Sequence, residues 1–220
     1  MLNFPIYIKF LINGIKTIYK LMKRLFDLIF SITFIFLLAP AMLIIAFIIY
    51  FSMGRPIIFV QTRTGLNDKP FNMFKFRTML STMDKNGKLL SDRLRTTKLG
   101  LFLRANSLDE LPELWNVIKG EMSIVGPRPL LIEYLPLYSD IQRKRHIVKP
   151  GITGWAQING RNNISWKQRF KYDVWYVENQ SILLDLRIIF KTIKKVITRQ
   201  DAIPNNKITM GKFEGNNEKK

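Results

Sequence analysis

The longest apolar stretch runs from Leu28 to Met53, and its 26 residues contain no charge. That length suffices to span a bilayer as one helix. Two features point elsewhere. Pro40 stands in the middle, where it removes a backbone hydrogen bond and favours a kink or break. Lys23 and Arg24 precede the stretch and Arg55 follows it, so flanking charge selects no orientation. A re-entrant helix broken at Pro40, with halves of about 20 Å each, accounts for both facts by dipping into one leaflet and returning to the cytoplasmic face. A single kinked span is the alternative. Ala39-Pro40-Ala41 has the spacing of a signal-peptide cleavage site, but the apolar run continues through Ile44, Ile45, Phe47 and Phe51, which excludes that reading. Ahead of it, Met1 to Met22 set Phe4, Ile8, Leu11, Ile15 and Ile18 among Lys9, Lys16 and Lys20. This pattern predicts a basic amphipathic helix in the headgroup region.

Beyond Arg55 the period shortens. Pro56–Arg63 and Pro70–Met79 read as two strands joined by a turn at Gly65-Leu66-Asn67-Asp68. Lys75 and Arg77 alternate with Phe74 and Phe76, as in a strand with one buried and one wet face. Leu94–Arg104 reads as a basic amphipathic helix, and Leu130–Ile147 as another, with Glu133, Tyr134, Gln142, Arg143 and Arg145 outward and His146 at the surface. From Lys149 a glycine-rich loop carries Arg161; two helices follow, Trp166–Tyr176 and Leu183–Ile197, then a polar, mobile tail. Asp173 and Asp185 are isolated acids that need a cation or donors if buried.

Ser107 to Pro129 holds the densest chemistry. Ser107 and Glu110 form an S-x-x-E capping box, Leu108, Leu111, Leu114, Trp115 and Ile118 recur at helical spacing, and Gly120 is placed to stop the helix. Asp109 and Glu110 thus share a first turn, where the macrodipole favours negative charge. Two prolines then fix the backbone around Arg128. An acidic pair near a rigidly held guanidinium suits a phosphate and a metal ion. Ordinary helix capping explains the same two acids equally well at this point.

Charge narrows the partners. With 35 Lys+Arg against 16 Asp+Glu, the formal charge is +19, which calls for an anionic partner. Hydrophobic residues make up 47% of so basic a chain, favouring a membrane surface over free nucleic acid. The lack of cysteine excludes disulfides, thiolate metal sites and a cysteine nucleophile. Neither a P-loop nor a G-x-G-x-x-G is present, so ATP and dinucleotides are not indicated.

FKFRTM, SLDELPELWNV, GEMSIVGPRPLL, RHIVKPGITGWAQINGRN and LLDLR occur in that order after the apolar segment. Together they resemble the bacterial sugar transferases that load a phosphosugar onto a polyprenyl phosphate, and more narrowly the small monotopic phosphoglycosyl transferases of the PglC type. The resemblance implies an α+β, mostly helical fold with a re-entrant membrane hairpin, a short β-hairpin and interfacial helices. It divides the chain into an extension at 1–22, a membrane helix at 23–54, a cytoplasmic catalytic domain at 55–199 and a tail at 200–220. It implies that Asp109 attacks the β-phosphorus of a UDP-sugar and expels UMP, that polyprenyl phosphate then takes the phosphosugar, and that Mg2+ assists with Asp109 and Glu110 as its ligands. Lys75, Arg104, Arg128, Arg161 and Asp185 fall on positions implicated in substrate binding, Asp185 as an orienter of an arginine. The implied partners are a UDP-sugar of the N-acetylated amino type and undecaprenyl phosphate, at the cytoplasmic face of the bacterial inner membrane, with no nucleic acid. Where that family has Ser-Pro at the membrane bend, this chain has Ala39-Pro40. The competing classes are a membrane-anchored nucleic-acid-binding or scaffold protein, and a glycosyltransferase that moves the sugar alone. The first has no recognisable binding module here, and the second lacks an Asp-x-Asp metal motif.

Overall fold

A computed structural model describes residues 4–160, 164–198 and 211–216. It is mostly helical, with two two-stranded sheets. Helix α1 (Phe4–Met53) is continuous through Pro40. The expected break is therefore absent. Proline removes one bond of the ladder, and the remaining turns of a long apolar helix carry the element past it. The extension and the apolar segment are one element of 50 residues. The side chains before Thr17, and with them the amphipathic face expected there, lie outside the described residues.

Polar side chains fasten the first half of α1 to the rest of the chain. Arg24 donates to the carbonyls of Val117 (2.6 Å) and Ile118 (2.8 Å), which end helix α4 (Glu113–Lys119). Asp27 Oδ1 accepts from Ser123 Oγ and Ile124 N, both at 3.0 Å. The second half is held by apolar packing: Ile45, Ile49 and Met53 bury themselves against Phe76 and Leu103. Between these two attachments Leu37, Leu43 and Phe36 are exposed.

The predicted hairpin is present as β1 (Ile58–Thr64) and β2 (Pro70–Phe76), antiparallel, with Phe59 opposite Lys75 and Arg63 opposite Phe71. Its turn uses Asn67 and Asp68 at positive φ. Two predicted helices break up. Leu94–Arg104 becomes α2 (Asp92–Arg95) and α3 (Lys98–Ala105). Leu130–Ile147 becomes a 3-10 turn at Ile132–Leu137, α5 (Asp140–Arg143) and a second 3-10 turn at Lys144–Ile147. Pro136 and the Ser139 capping box, which starts α5, divide that stretch. Tyr134 and Arg145, expected outside, are buried.

Short parallel strands β3 (Ser123–Val125) and β4 (Gly151–Thr153) join the two loops flanking the proline–arginine segment. Gly126 N donates to Thr153 O and Gly151 N to Pro127 O. A Cβ on either glycine would run into the other's backbone, so only glycine lets the strands approach. Helices α6 (Trp155–Ile158), α7 (Trp166–Glu178) and α8 (Ile182–Ile197) complete the domain. Phe71, Met73, Val117, Met122, Ile124 and Ile188 centre its main core. A second cluster unites Leu130, Tyr134, Phe170 and Phe213. Phe213 thus docks a part of the tail that was expected to be mobile, and Trp166 Nε1 donates to Gly211 O at 3.0 Å beside it.

Candidate active site

Asp109 sits on a 3-10 turn (Leu108–Glu110), not in the first turn of a long α-helix. Ser107 adopts a left-handed φ of 56° and makes no capping bond, and α4 begins only after Pro112. The predicted capping box is therefore not formed. Pro112 would remove a backbone hydrogen bond from a helix running from Leu108, and the chain makes a tight turn first and starts the α-helix behind it. Gly120 does end α4, at φ 84°.

This turn places Asp109 in a cleft of about 1160 Å³ together with Glu110, Lys75, Arg104 and Arg128. The two neighbouring acids have different surroundings. Glu110 Oε1 accepts from Lys75 Nζ at 2.8 Å and from Arg128 Nη2 at 2.7 Å. Asp109, only 8% exposed, is in no ion pair among the described residues. Burial pushes the Glu110 carboxyl up, but Arg128 and Lys75 outweigh it and hold Glu110 far below the carboxylate range. For Asp109, burial and the Glu110 charge outweigh Lys75, Arg128 and Arg104, and its carboxyl is raised. One acid is pinned and ionised, and its neighbour is left as a poorly solvated oxygen base facing the cleft.

Lys75 also lies 3.1 Å from Glu113 Oε1, an acid the sequence reading passed over as part of the helix start. Glu113 is buried at the head of α4, and burial together with Glu110 raises its carboxyl to about 7. Arg104 Nε donates to Thr78 Oγ1 at 2.9 Å, which tethers it at the cleft edge.

The segment bearing Arg128 is fixed from below. Arg145 Nη2 donates to Arg128 O at 2.6 Å and to Asp173 Oδ2 at 2.9 Å, and Nε donates to the same carboxylate at 3.0 Å. The isolated acid Asp173 thus finds a cation in Arg145. Asp185 is placed apart from the acidic pair. It is not among the residues that line the cleft, and among the described residues it accepts from Tyr19, Lys23 and Tyr176, at the start of the membrane helix. Arg161 lies outside the described residues. Among the further cations that line the cleft are Arg63 and Arg169, which were not singled out from the sequence. The strand period could have found Arg63, which shares its face with Gln61 and, across the ladder, Lys75.

The cleft's other wall is apolar. Phe30 and Phe34 of α1 and Ile189, Ile193 and Val196 of α8 line it. Charged and apolar walls therefore meet in one cavity, the arrangement an amphiphilic substrate requires.

The family model for bacterial sugar transferases matches residues 18–199. The chain is 51% identical over 198 residues to the uncharacterized sugar transferase EpsL of Bacillus subtilis, covering 89% of this chain and 96% of that protein. It is 40% identical to the UDP-glucose:undecaprenyl-phosphate glucose-1-phosphate transferase of Klebsiella pneumoniae, over 87% of this chain and 43% of that protein. It is 36% identical to the undecaprenyl-phosphate galactose phosphotransferase of Salmonella typhimurium, over 86% of this chain and again 43% of the relative. The chain thus spans less than half the length of these last two. With the match running from the membrane helix to the end of α8, the chain belongs to the bacterial sugar transferase family.

Proposed function

We propose that the protein transfers a sugar 1-phosphate from a UDP-sugar to undecaprenyl phosphate, working at the cytoplasmic face of the bacterial inner membrane. The observation that carries this reading is the contrast between Glu110, clamped by Lys75 and Arg128, and Asp109, buried beside it and in no ion pair among the described residues. An Asp109 oxygen attacks the β-phosphorus of the donor, the bond to the bridging oxygen breaks, and UMP leaves with that electron pair. A phosphate oxygen of the lipid then attacks the same phosphorus and returns the carboxylate to Asp109. Lys75, Arg128 and Arg104 hold the donor's negative charge in place as it shifts to the leaving group. The apolar wall of Phe30, Phe34, Ile189 and Ile193 receives the first units of the lipid chain.

Magnesium fits the donor set. This ion commonly takes one or two carboxylates and completes its shell with water and substrate phosphates. Both cations converge on Glu110 Oε1, which leaves Oε2 and the Asp109 carboxylate to face it. When bound, it neutralises charge on the diphosphate.

The membrane placement rests on α1. Thr17–Met53 is long and apolar enough to cross a bilayer, and few residues of its most apolar 18-residue window are buried. Yet Asp27 and Ile49, on opposite sides of Pro40, are both buried against the same domain. A helix that crossed the bilayer could touch a domain on one side only near one end. Both attachments on one domain support a monotopic path that enters and leaves on the same side, which α1 takes by bending near Pro40 without a break in the helix. Exposed Leu183, Phe190 and Ile197 on α8, beside Lys191 and Lys194, support an interfacial helix next to it.

The test is UMP release from a panel of UDP-sugars with undecaprenyl phosphate and Mg2+. The names of the relatives add glucose and galactose to the amino sugars on that panel. Asp109→Asn should abolish release, and mass spectrometry of wild-type protein with donor alone should show a phosphosugar adduct on Asp109. Unchanged turnover in the variant overturns the assignment.

A further inference from the structure

Glu113 is a buried acid that the transfer reaction leaves unused. Its side chain is 2% exposed, and it is not among the residues that line the cleft. Among the described residues its ion-pair partner is Lys75, 3.1 Å from Oε1, and that oxygen has no hydrogen-bond partner elsewhere. A carboxyl group taken so far out of water is costly unless a cation or donor meets it.

Three elements bring the two side chains together. Lys75 is the last residue but one of β2, and Glu113 is the first of α4. One turn further along α4, buried Asn116 is locked onto β2. Its Oδ1 accepts from Phe74 N at 3.0 Å, and its Nδ2 donates to Asn72 O at 2.7 Å. Residues three apart on a helix are neighbours on its surface, so the bonds that seat Asn116 on β2 also set Glu113 beside Lys75. Glu110, on the 3-10 turn ahead of α4, accepts from the same ammonium at 2.8 Å. The flexible stem of a lysine would otherwise let that ammonium swing. An ammonium carries three N–H donors. Glu110 and Glu113 engage it from two elements, and it has no further partner among the described residues. Lys75 lines the cleft together with Asp109 and Arg128.

We propose that Glu113 is a positioning residue for the donor: it braces Lys75 against Glu110 so that the remaining N–H of the ammonium points at the donor's diphosphate. This rests on the transfer reaction proposed above and deepens it. Glu113 touches no substrate and acts through Lys75 alone. Its part requires an oxygen at that place and not a negative charge, since a carboxyl presents an acceptor oxygen whether or not it carries a proton. Glutamine supplies the same oxygen on a side chain of the same length. Methionine fills the space and supplies none.

The experiment uses the full chain in lipid nanodiscs, with Asp109→Asn as the reference so that nothing turns over. The probe is UDP with Mg2+, the part common to every donor on the panel. Affinity and ligand-free melting temperature are measured in that reference for Glu113→Gln, Glu113→Met, Lys75→Met, and Lys75→Met combined with Glu113→Met. Each single methionine variant should weaken UDP binding by about tenfold or more, the scale of a hydrogen bond to a charged group, whereas Glu113→Gln should stay within about threefold. Once Lys75→Met is present, adding Glu113→Met should cause no further loss, because the two residues act as one unit. A purely structural role for Glu113 would lower affinity by the same factor in both backgrounds. That outcome overturns the inference, as does an equal loss in Glu113→Gln and Glu113→Met, or unaltered affinity in either single methionine variant. Each of these leaves the transfer reaction standing. Should Glu113→Met fail to fold, Glu113→Ala takes its place with the same expectations. Failure of the reference chain to bind UDP overturns both.

Discussion

Lys23, on the membrane helix, donates to Asp185, on the last helix of the domain, at 2.6 Å. Tyr19 and Tyr176 donate to the same carboxylate, at 3.1 and 2.7 Å. Tyr176 is fully buried in the main core, so this junction ties the anchor to the interior of the domain. The two charged side chains are 14% and 8% exposed. Asp185→Asn keeps the shape and removes the charge, leaving a buried ammonium without its partner. The expected cost is about 3 kcal/mol, read as a fall in denaturation midpoint. Asp185→Asn combined with Lys23→Met should recover part of it. A loss of activity without a loss of stability would instead place Asp185 in the reaction.

Glu110→Gln separates charge from position at the acidic pair. The amide leaves Lys75 and Arg128 under-compensated and takes away the negative neighbour that helps to raise Asp109. UMP release should fall by about 100-fold, the scale of one misplaced electrostatic group, with Asp109 still able to form its adduct. The nucleophile must be ionised, and its raised carboxyl gains a proton at a higher pH than an exposed aspartate does. Wild-type activity therefore declines on acidification earlier than an ordinary carboxylate would dictate. In Glu110→Gln that decline shifts to lower pH. A pH profile of adduct formation checks both statements.

The hairpin, the Gly120 stop, the membrane helix and the Asp109–Glu110 pair could all be read from local pattern. Each depends on period, turn residues or a motif within a few positions. What could not be read depends on distant partners. Arg145 looked like one of a surface run of cations, yet Asp173, 28 residues away, makes it one of the most buried side chains. Asp185 was drawn to the site by resemblance, but the side chain that meets it is Lys23, 162 positions earlier. Proline's effect depends on its surroundings in the same way. Pro112 and Pro136 redirect two predicted helices, whereas Pro40 does not interrupt α1.

Topology can be checked without activity. Cysteines placed at residue 17 and at residue 86 of this cysteine-free chain should react with a membrane-impermeant reagent only after the inner membrane is opened. Reaction of one and not the other in intact spheroplasts would mean that α1 crosses the bilayer.

Phe213 is a long way from the acids and yet touches what supports them. Its ring packs on Tyr134, Tyr138, Trp166 and Phe170, and Phe170 in turn lies 5.9 Å from the Arg145 guanidinium. Phe213→Ala opens a cavity at the edge of this cluster. The expected destabilisation is about 3 kcal/mol, the lower end for a buried phenylalanine, because a site at the edge of a cluster can partly collapse. Thermal unfolding reads it, and removal of residues 199–220 should give a loss at least as large.

His146 makes stability fall in acid by a route that one variant isolates. Its Nδ1 lies 2.5 Å from Asp68 Oδ1, and its Nε2 lies 3.3 Å from Arg145 Nη1. Arg145 can only donate, so Nε2 must be the bare nitrogen and Nδ1 carries the proton toward Asp68. The groups facing the ring are Asp68, Arg143, Arg145 and Tyr138. Burial, and then the Arg145 charge, depress the imidazole to about 4 against the pull of Asp68. Between the unfolded value near 6.5 and this folded value, the unfolded chain binds the proton and the native one does not. Stability is therefore complete above about pH 6.5, declines as pH falls toward 4, and is constant below that as far as this group is concerned. The full span is about 3 kcal/mol at most. His146→Asn removes the titration. Its stability should be lower than wild type at pH 7, yet the slope between pH 6.5 and 4 should flatten. An unchanged slope would assign the acid sensitivity to the carboxylates instead.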